Sequence, residues 1–92
     1  LYYRQGRMQE AEAQYLSGLS KNFEYFGLHF NLGNLYRAMG RLNEAVMAYR
    51  LAIRFNAHWA APHKHLGEVY LELGLEDQAK AEFAVAVKLK SK

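Results

Sequence analysis

The sequence repeats itself with a period of 34 residues. Gly6, Gly40 and Gly74 are spaced by it, as are Tyr2, Tyr36 and Tyr70, and Ala11, Ala45 and Ala79. The same offset joins the aromatics Tyr15, Tyr49 and Phe83, the small residues Gly18, Ala52 and Ala86, and the apolar Leu1, Leu35 and Val69. Between the two fuller copies His29 matches His63, Leu32 matches Leu66 and Gly33 matches Gly67. A fixed period of this kind means one supersecondary unit used repeatedly, each unit burying its apolar face against the next.

Each unit holds two amphipathic blocks parted by a glycine. Leu28, Leu32, Leu35, Tyr36 and Met39 fall at helical spacing, Gly40 interrupts, and Leu42, Ala45, Val46, Tyr49, Ala52 and Ile53 resume it. Gly40 stands where a helix C-terminus wants a left-handed residue, and Gly6 and Gly74 are expected to do the same. The single proline, Pro62, falls in the first turn of a block, where its missing N–H is harmless. These signals predict helices over about 26–39, 42–55, 60–73 and 76–89, one over about 8–21, and a stub over 1–5. Gly33 with Ala45, and Gly67 with Ala79, are expected where antiparallel helices approach closely, flanked by Tyr36 and Tyr49.

The stretches "NLGNLYRAMGRLNEAVMAYRLAIRFN" at 31–56 and "HLGEVYLELGLEDQAKAEFAVAVKLK" at 65–90 resemble tetratricopeptide repeats, with Leu-Gly-x-x-Tyr, then Gly, then Ala, an aromatic and Ala in register. The resemblance covers the whole chain as one array: a partial repeat at 1–25 and repeats at 26–59 and 60–92. It implies an all-α solenoid of antiparallel helix pairs wound into a right-handed superhelix. Two departures stand out. His29 and His63 replace the aromatic that usually opens the first helix, and Phe23 and Ala57 replace the proline usual after the second, while Asn22 and Asn56 before it are kept.

Composition narrows the function. Ninety-two residues allow one domain, and 51% hydrophobic against 23% charged residues is too apolar for disorder. A net charge of +3, spread over every segment, does not argue for nucleic acid. With no cysteine there is no disulfide, thiolate metal site or cysteine nucleophile. No apolar stretch approaches the roughly 18 residues of a membrane span. The chain begins at Leu1 without a signal-peptide pattern and reads as a piece of a longer protein.

Catalytic and metal chemistry find no support. His63 and His65 are two residues apart, so on a helix they point in nearly opposite directions and cannot share a metal. His29 and His63 take a site that packs inside the helix pair, and His58 lies in a loop. Glu68 with Glu72 and Glu76 with Asp77 pair as solvated helix faces commonly do. Ser17, Ser20 and Ser91 lack a base in register. No cofactor, metal or catalytic residue is expected.

The resemblance implies a concave groove lined by the first helix of each pair. Its side chains are Phe30, Asn31, Asn34 and Arg37 from one helix and Lys64, His65, Glu68, Leu71 and Glu72 from the next, with Tyr3 and Arg4 extending it. Asn31 and Asn34 each donate and accept, which suits the main chain of an extended peptide. Arg37 and Lys64 suit an acidic group, and Phe30 an apolar one. Asn31 and Lys64 match sites of the carboxylate clamp of tetratricopeptide co-chaperones, but Glu68 stands where that clamp has a base. Asn31 also resembles the asparagine ladder of sugar-transferase solenoids, which His65 breaks.

A solenoid must cover its terminal faces. Val87 and Leu89 repeat the sites of Ile53 and Phe55, and Tyr15, Gly18 and Leu19 lack most of the helix they would pack on, so Tyr15, Leu19, Val87 and Leu89 are expected as self-association ends. Lys80, in the place of Val46, and the closing Lys88, Lys90, Ser91 and Lys92 suit a chain end nearby. The expected function is a non-catalytic scaffold that takes a protein or peptide partner, one with an acidic or C-terminal carboxylate group among the candidates, in its groove. The alternatives are the targeting arm of a larger enzyme and a module that stacks copies through its open ends into a homo-oligomer.

Overall fold

A computed structural model describes residues 5–90. Among these, five helices follow one another: α1 (Gln5–Lys21), α2 (Phe26–Ala38), α3 (Leu42–Phe55), α4 (Ala60–Glu72) and α5 (Glu76–Lys90). Each helix packs chiefly on its sequence neighbours, α2 on α3 and α4 on α5 most closely, with α3 against α4 and α1 against α2 joining the pairs. This nearest-neighbour stacking is the repeat architecture expected from the period. The four later helices fall within a residue of the predicted spans, whereas α1 starts earlier, at Gln5 rather than about residue 8. The predicted stub over 1–5 lies, but for Gln5, outside the described residues.

The turn inside each pair is built around one left-handed glycine. Gly40 has φ +78° and Gly74 φ +80°. Arg41 N–H donates to Tyr36 O at 2.8 Å and Gly40 N–H to Arg37 O at 3.0 Å, and Leu75 and Gly74 repeat both bonds onto Tyr70 and Leu71. This is the 6→1 and 5→2 pairing of a Schellman turn, which satisfies the last carbonyls of the helix. Gly6 departs from the expectation. It lies in the first turn of α1, where every residue needs a right-handed φ, and closes no helix.

Packing rather than capping holds the helices. Tyr25, Arg41 and Trp59 precede α2, α3 and α4, and none gives a side-chain cap. Ala45, Tyr49, Leu66 and Val69 instead form a core exposed by 1% or less, with Phe30, Val46, Ile53, Tyr70 and Leu73 packed round it. Burying side chains of this size stabilises by roughly 1.5–3 kcal/mol each. The small residues act as predicted, with a change of partner. A Cβ on Gly33 would lie 2.5 Å from Tyr49 Cε1, and one on Gly67 2.7 Å from Phe83 Cε1. The glycines therefore make room for an aromatic ring of the following helix, while Ala45 and Ala79 are wholly buried.

Both repeat histidines sit inside their helix pairs. His29 is 2% exposed, donates from Nε2 to Phe23 O at 2.7 Å, and stacks on Phe55. His63 meets Glu82 Oε1 through Nδ1 at 2.7 Å. A polar cluster ties α1 to the next turn. Arg41 pairs with Glu12 at 3.2 Å and Glu44 at 2.5 Å and lies over the Tyr36 ring, while Tyr36 donates its hydroxyl to Glu12.

Candidate functional site

Helices α2 and α4 meet through Arg37 with Glu68 and Glu72 and through Phe30 with His65, five of the nine residues predicted for the groove, while Lys64 and His65 also line the cavity between α4 and α5. Asn31, Asn34, Lys64, Leu71 and Glu72 are exposed, and Phe30, Arg37, His65 and Glu68 half-buried. Tyr3 and Arg4, expected to extend the groove, lie outside the described residues.

Arg37 links the two helices. Its Nη1 donates to Glu68 Oε1 at 2.8 Å, and its Nη2 and Nε donate to Glu72 Oε2 at 2.6 and 3.1 Å. The bonds to Glu72, then to Glu68, outweigh burial and push the guanidinium pKa upward. Burial raises the Glu68 pKa, but the Arg37 bond and the charges of His65, Arg37 and Lys64 outweigh it and hold the carboxyl below its ordinary value. The Glu68 and Glu72 pair, spaced one helical turn apart, is thus held by a cation from the preceding repeat. Arg37 is engaged inside the protein, and Lys64 remains the exposed cation among the groove residues.

Under this polar row lies an aromatic floor. Phe30 meets Trp59 at 4.6 Å between ring centroids, His65 at 5.3 Å and Tyr49 at 5.8 Å, and His65 stacks on Tyr49. Tyr49 donates its hydroxyl to Asn34 Oδ1. Burial pushes the Tyr49 phenol up to about 12, because a phenolate there would lose its water. Asn34 is thereby held at its Oδ1 while the residue stays exposed. Phe30 forms part of this floor more than an open apolar contact.

The predicted ends divide. Val87 is 67% exposed and Leu89 half-buried. Leu19 does not stay open as expected: it is 6% exposed, packed with Leu32 and Ala48, because α2 comes in close beside Gly18. Tyr15 packs half-buried at the edge of the same cluster. Beside Val87 opens a cavity of about 570 Å³ between α4 and α5, bordered by Trp59 and Phe83. Sequence reasoning passed over Trp59, although the chain's one tryptophan directly before a helix was a visible signal.

Among the described residues no group of three or more His, Asp or Glu is placed to hold a metal, and no helix is long and apolar enough to cross a membrane. The family patterns described as "TPR repeat" and "Tetratricopeptide repeat" match residues 33–74 and 65–92, which together run from 33 to the last residue. No curated protein sequence matches significantly. Two crystal structures of MamA are similar in fold. The first has a TM-score of 0.91 at 25% identity over 92% of this chain and 50% of that one. The second has a TM-score of 0.87 at 26% identity over 92% and 46%. The chain thus spans about half the length of these structures. Tetratricopeptide repeats are typically non-catalytic and serve as scaffolds for protein interaction. With two family patterns, the 34-residue register and the stacked helix pairs in agreement, the chain is a segment of a tetratricopeptide repeat protein.

Proposed function

We propose that the face shared by α2 and α4 binds an extended peptide or partner segment, and that the chain performs no catalysis of its own. The observation that carries this reading is the row of outward polar groups over a rigid aromatic floor. Asn31 and Asn34 are exposed, and Asn34 is fixed from below by Tyr49. Amides one helical turn apart match the alternating donors and acceptors of a main chain, independent of its side chains. Lys64 lies one repeat on from Phe30 and supplies the contact for an acidic side chain or a terminal carboxylate. Arg37 serves instead by holding Glu68 and Glu72, so a basic side chain of the partner is met by a carboxylate pair that Arg37 only partly neutralises.

The test is an array of peptides shown once with a free C-terminal carboxylate and once amidated. Binding that survives amidation and falls by roughly 5- to 150-fold in Asn31→Ala with Lys64→Ala fits main-chain recognition, at about 1–3 kcal/mol. Binding that requires the free carboxylate makes Lys64 the anchor. Binding unaffected by both substitutions moves the site off this face. A second reading, stacking of copies through open ends, rests on the exposure of Val87 and is tested by light scattering across concentration.

A further inference from the structure

Large apolar side chains line a groove between α1 and α3. Leu16 and Phe23 stand on one side, Met47 and Leu51 on the other, and Leu32 and Tyr36 of α2 lie between them, round a cavity of about 240 Å³. Met47 is 66% exposed. The walls are the second helices of two successive repeats and the base is the first helix between them, so all three sides are described and stacking adds no fourth. Packing does not demand these side chains. One repeat on, Leu19, His29, Leu32 and Tyr36 recur as Ile53, His63, Leu66 and Tyr70, but Leu16, Phe23 and Met47 become Arg50, Ala57 and Ala81, with Leu51 kept apolar as Val85.

A second cavity, of about 420 Å³, shares Met47 and Leu51 and adds Arg50 and Arg54. Three charged residues line the two cavities, Glu44, Arg50 and Arg54. Glu44 is taken up by Arg41 at 2.5 Å. Arg50 and Arg54, exposed and one helical turn apart, form no ion pair among the described residues. The groove therefore presents two unneutralised guanidinium groups beside exposed apolar side chains.

The same molecule carries the complement. Of its nine acids, Glu12 and Glu44 are held by Arg41, Glu68 and Glu72 by Arg37, and Glu82 by His63. Glu10, Glu24, Glu76 and Asp77 form no ion pair among the described residues. Glu10 stands alone on α1, and Glu24 follows Phe23 at the groove itself. Glu76 and Asp77 are adjacent in the first turn of α5, both exposed, directly after exposed Leu75. Lys80, one turn after Glu76, pairs with neither. The preceding repeat has Arg41, Leu42 and Asn43 at these three positions, so the acidic turn, like the apolar groove, is not a requirement of the repeat.

We infer that the chain associates with a second copy of itself, the turn between α4 and α5 of one copy seated in the α1 and α3 groove of the other. Leu75 meets Met47 and Leu51, and the carboxylates of Glu76 and Asp77 accept hydrogen bonds from the guanidinium groups of Arg50 and Arg54. Each copy offers both surfaces, so the contact closes into a reciprocal dimer or runs on from copy to copy. It uses neither the α2 and α4 face nor the end at Val87, and stands or falls apart from both.

The experiment is sedimentation velocity of the chain over a concentration series at low salt. Self-association is expected, and is expected to weaken as salt is raised. Two variants reverse one surface each: Arg50→Glu with Arg54→Glu, and Glu76→Lys with Asp77→Lys. All four residues are exposed, and circular dichroism checks that each variant keeps its helices. Each variant alone is expected to self-associate at least tenfold more weakly, because its groove and its turn then carry like charge. Mixed in equal amounts, the two are expected to associate with each other at least tenfold more strongly than either does alone, because each groove then meets a turn of opposite charge. A wild type that stays monomeric up to millimolar concentration overturns the inference and leaves the groove to another partner. Self-association that both variants keep, or a mixture of folded variants no stronger than its components, also overturns it. So does self-association that Val87→Glu abolishes while both charge variants retain it, which assigns the contact to the open end.

Discussion

At Gly18, Gly33 and Gly67 an added Cβ would come closer than 3.0 Å to a neighbouring side chain, and substituting alanine at each separates ring packing from helix propensity. A Cβ on Gly33 would meet three ring atoms of Tyr49, Cε1, Cδ1 and Cζ, at 2.5, 2.6 and 2.9 Å. Tyr49 is 0% exposed and bonded through its hydroxyl to Asn34, so its ring has nowhere to go. Alanine gains roughly 0.5–1 kcal/mol over glycine in a helix, but overpacking costs roughly 1–3 kcal/mol and a strained Tyr49 bond about 1 more. The net expected for Gly33→Ala is a loss of about 1–3 kcal/mol, or a Tm lower by roughly 5–15 °C for a chain this size. At Gly18 the close atom is the tip of Leu28, 2.7 Å away, which turns aside easily. Gly18→Ala is therefore expected within about 0.5 kcal/mol of neutral. Gly67→Ala should fall between, since Phe83 borders the cavity beside Val87 and has space to swing. Thermal unfolding followed by circular dichroism of the three variants gives the order directly. Equal Tm values, or a stabilised Gly33→Ala, would refute the view that glycine is present there to admit the ring.

Further outcomes follow from the polar contacts. Tyr49 is neutral in the folded chain until about pH 12, against an ordinary phenol near 10, so its contribution to stability is full below pH 10 and is lost as the pH rises from 10 to 12. The phenolate absorbance of wild type less that of Tyr49→Phe should show this titration, and a midpoint near 10 would contradict the burial. Glu68 has a lowered pKa, so its share is present above the ordinary glutamate range and is lost as the pH falls through that range to the lowered value. Arg37→Met leaves Glu68 and Glu72 facing each other, and its cost should be roughly 1 kcal/mol, since the partners are partly exposed. That cost should shrink in high salt, and a salt-independent loss would point to packing instead.

Much of the fold was legible because it is written locally. Gly40 and Gly74 stand at turns that nearby residues define, and Tyr49 and Phe83 recur at one offset from glycines that make space for them. The contacts that shape the candidate groove were not. Arg37 reaches Glu68 and Glu72 across 31 and 35 residues, and nothing in helical spacing says which of two neighbouring cations turns inward and which stays in water. Leu19 departs for a related reason: its burial comes from α2 packing on α1, with Leu28 against Gly18 and Leu32 against Leu19. Gly6 shares the period but not the role, because periodicity marks a site in the repeat and the conformation depends on the helix running through it.

The proposed function rests on partner binding across α2 and α4. Its most direct test is amide chemical-shift mapping with a peptide selected from the array. Shifts concentrated at Asn31, Asn34, Lys64, His65 and Glu68 are expected, with α3 and α5 largely still. Shifts centred instead on the outer side, at exposed Phe23 and Met47, would contradict it.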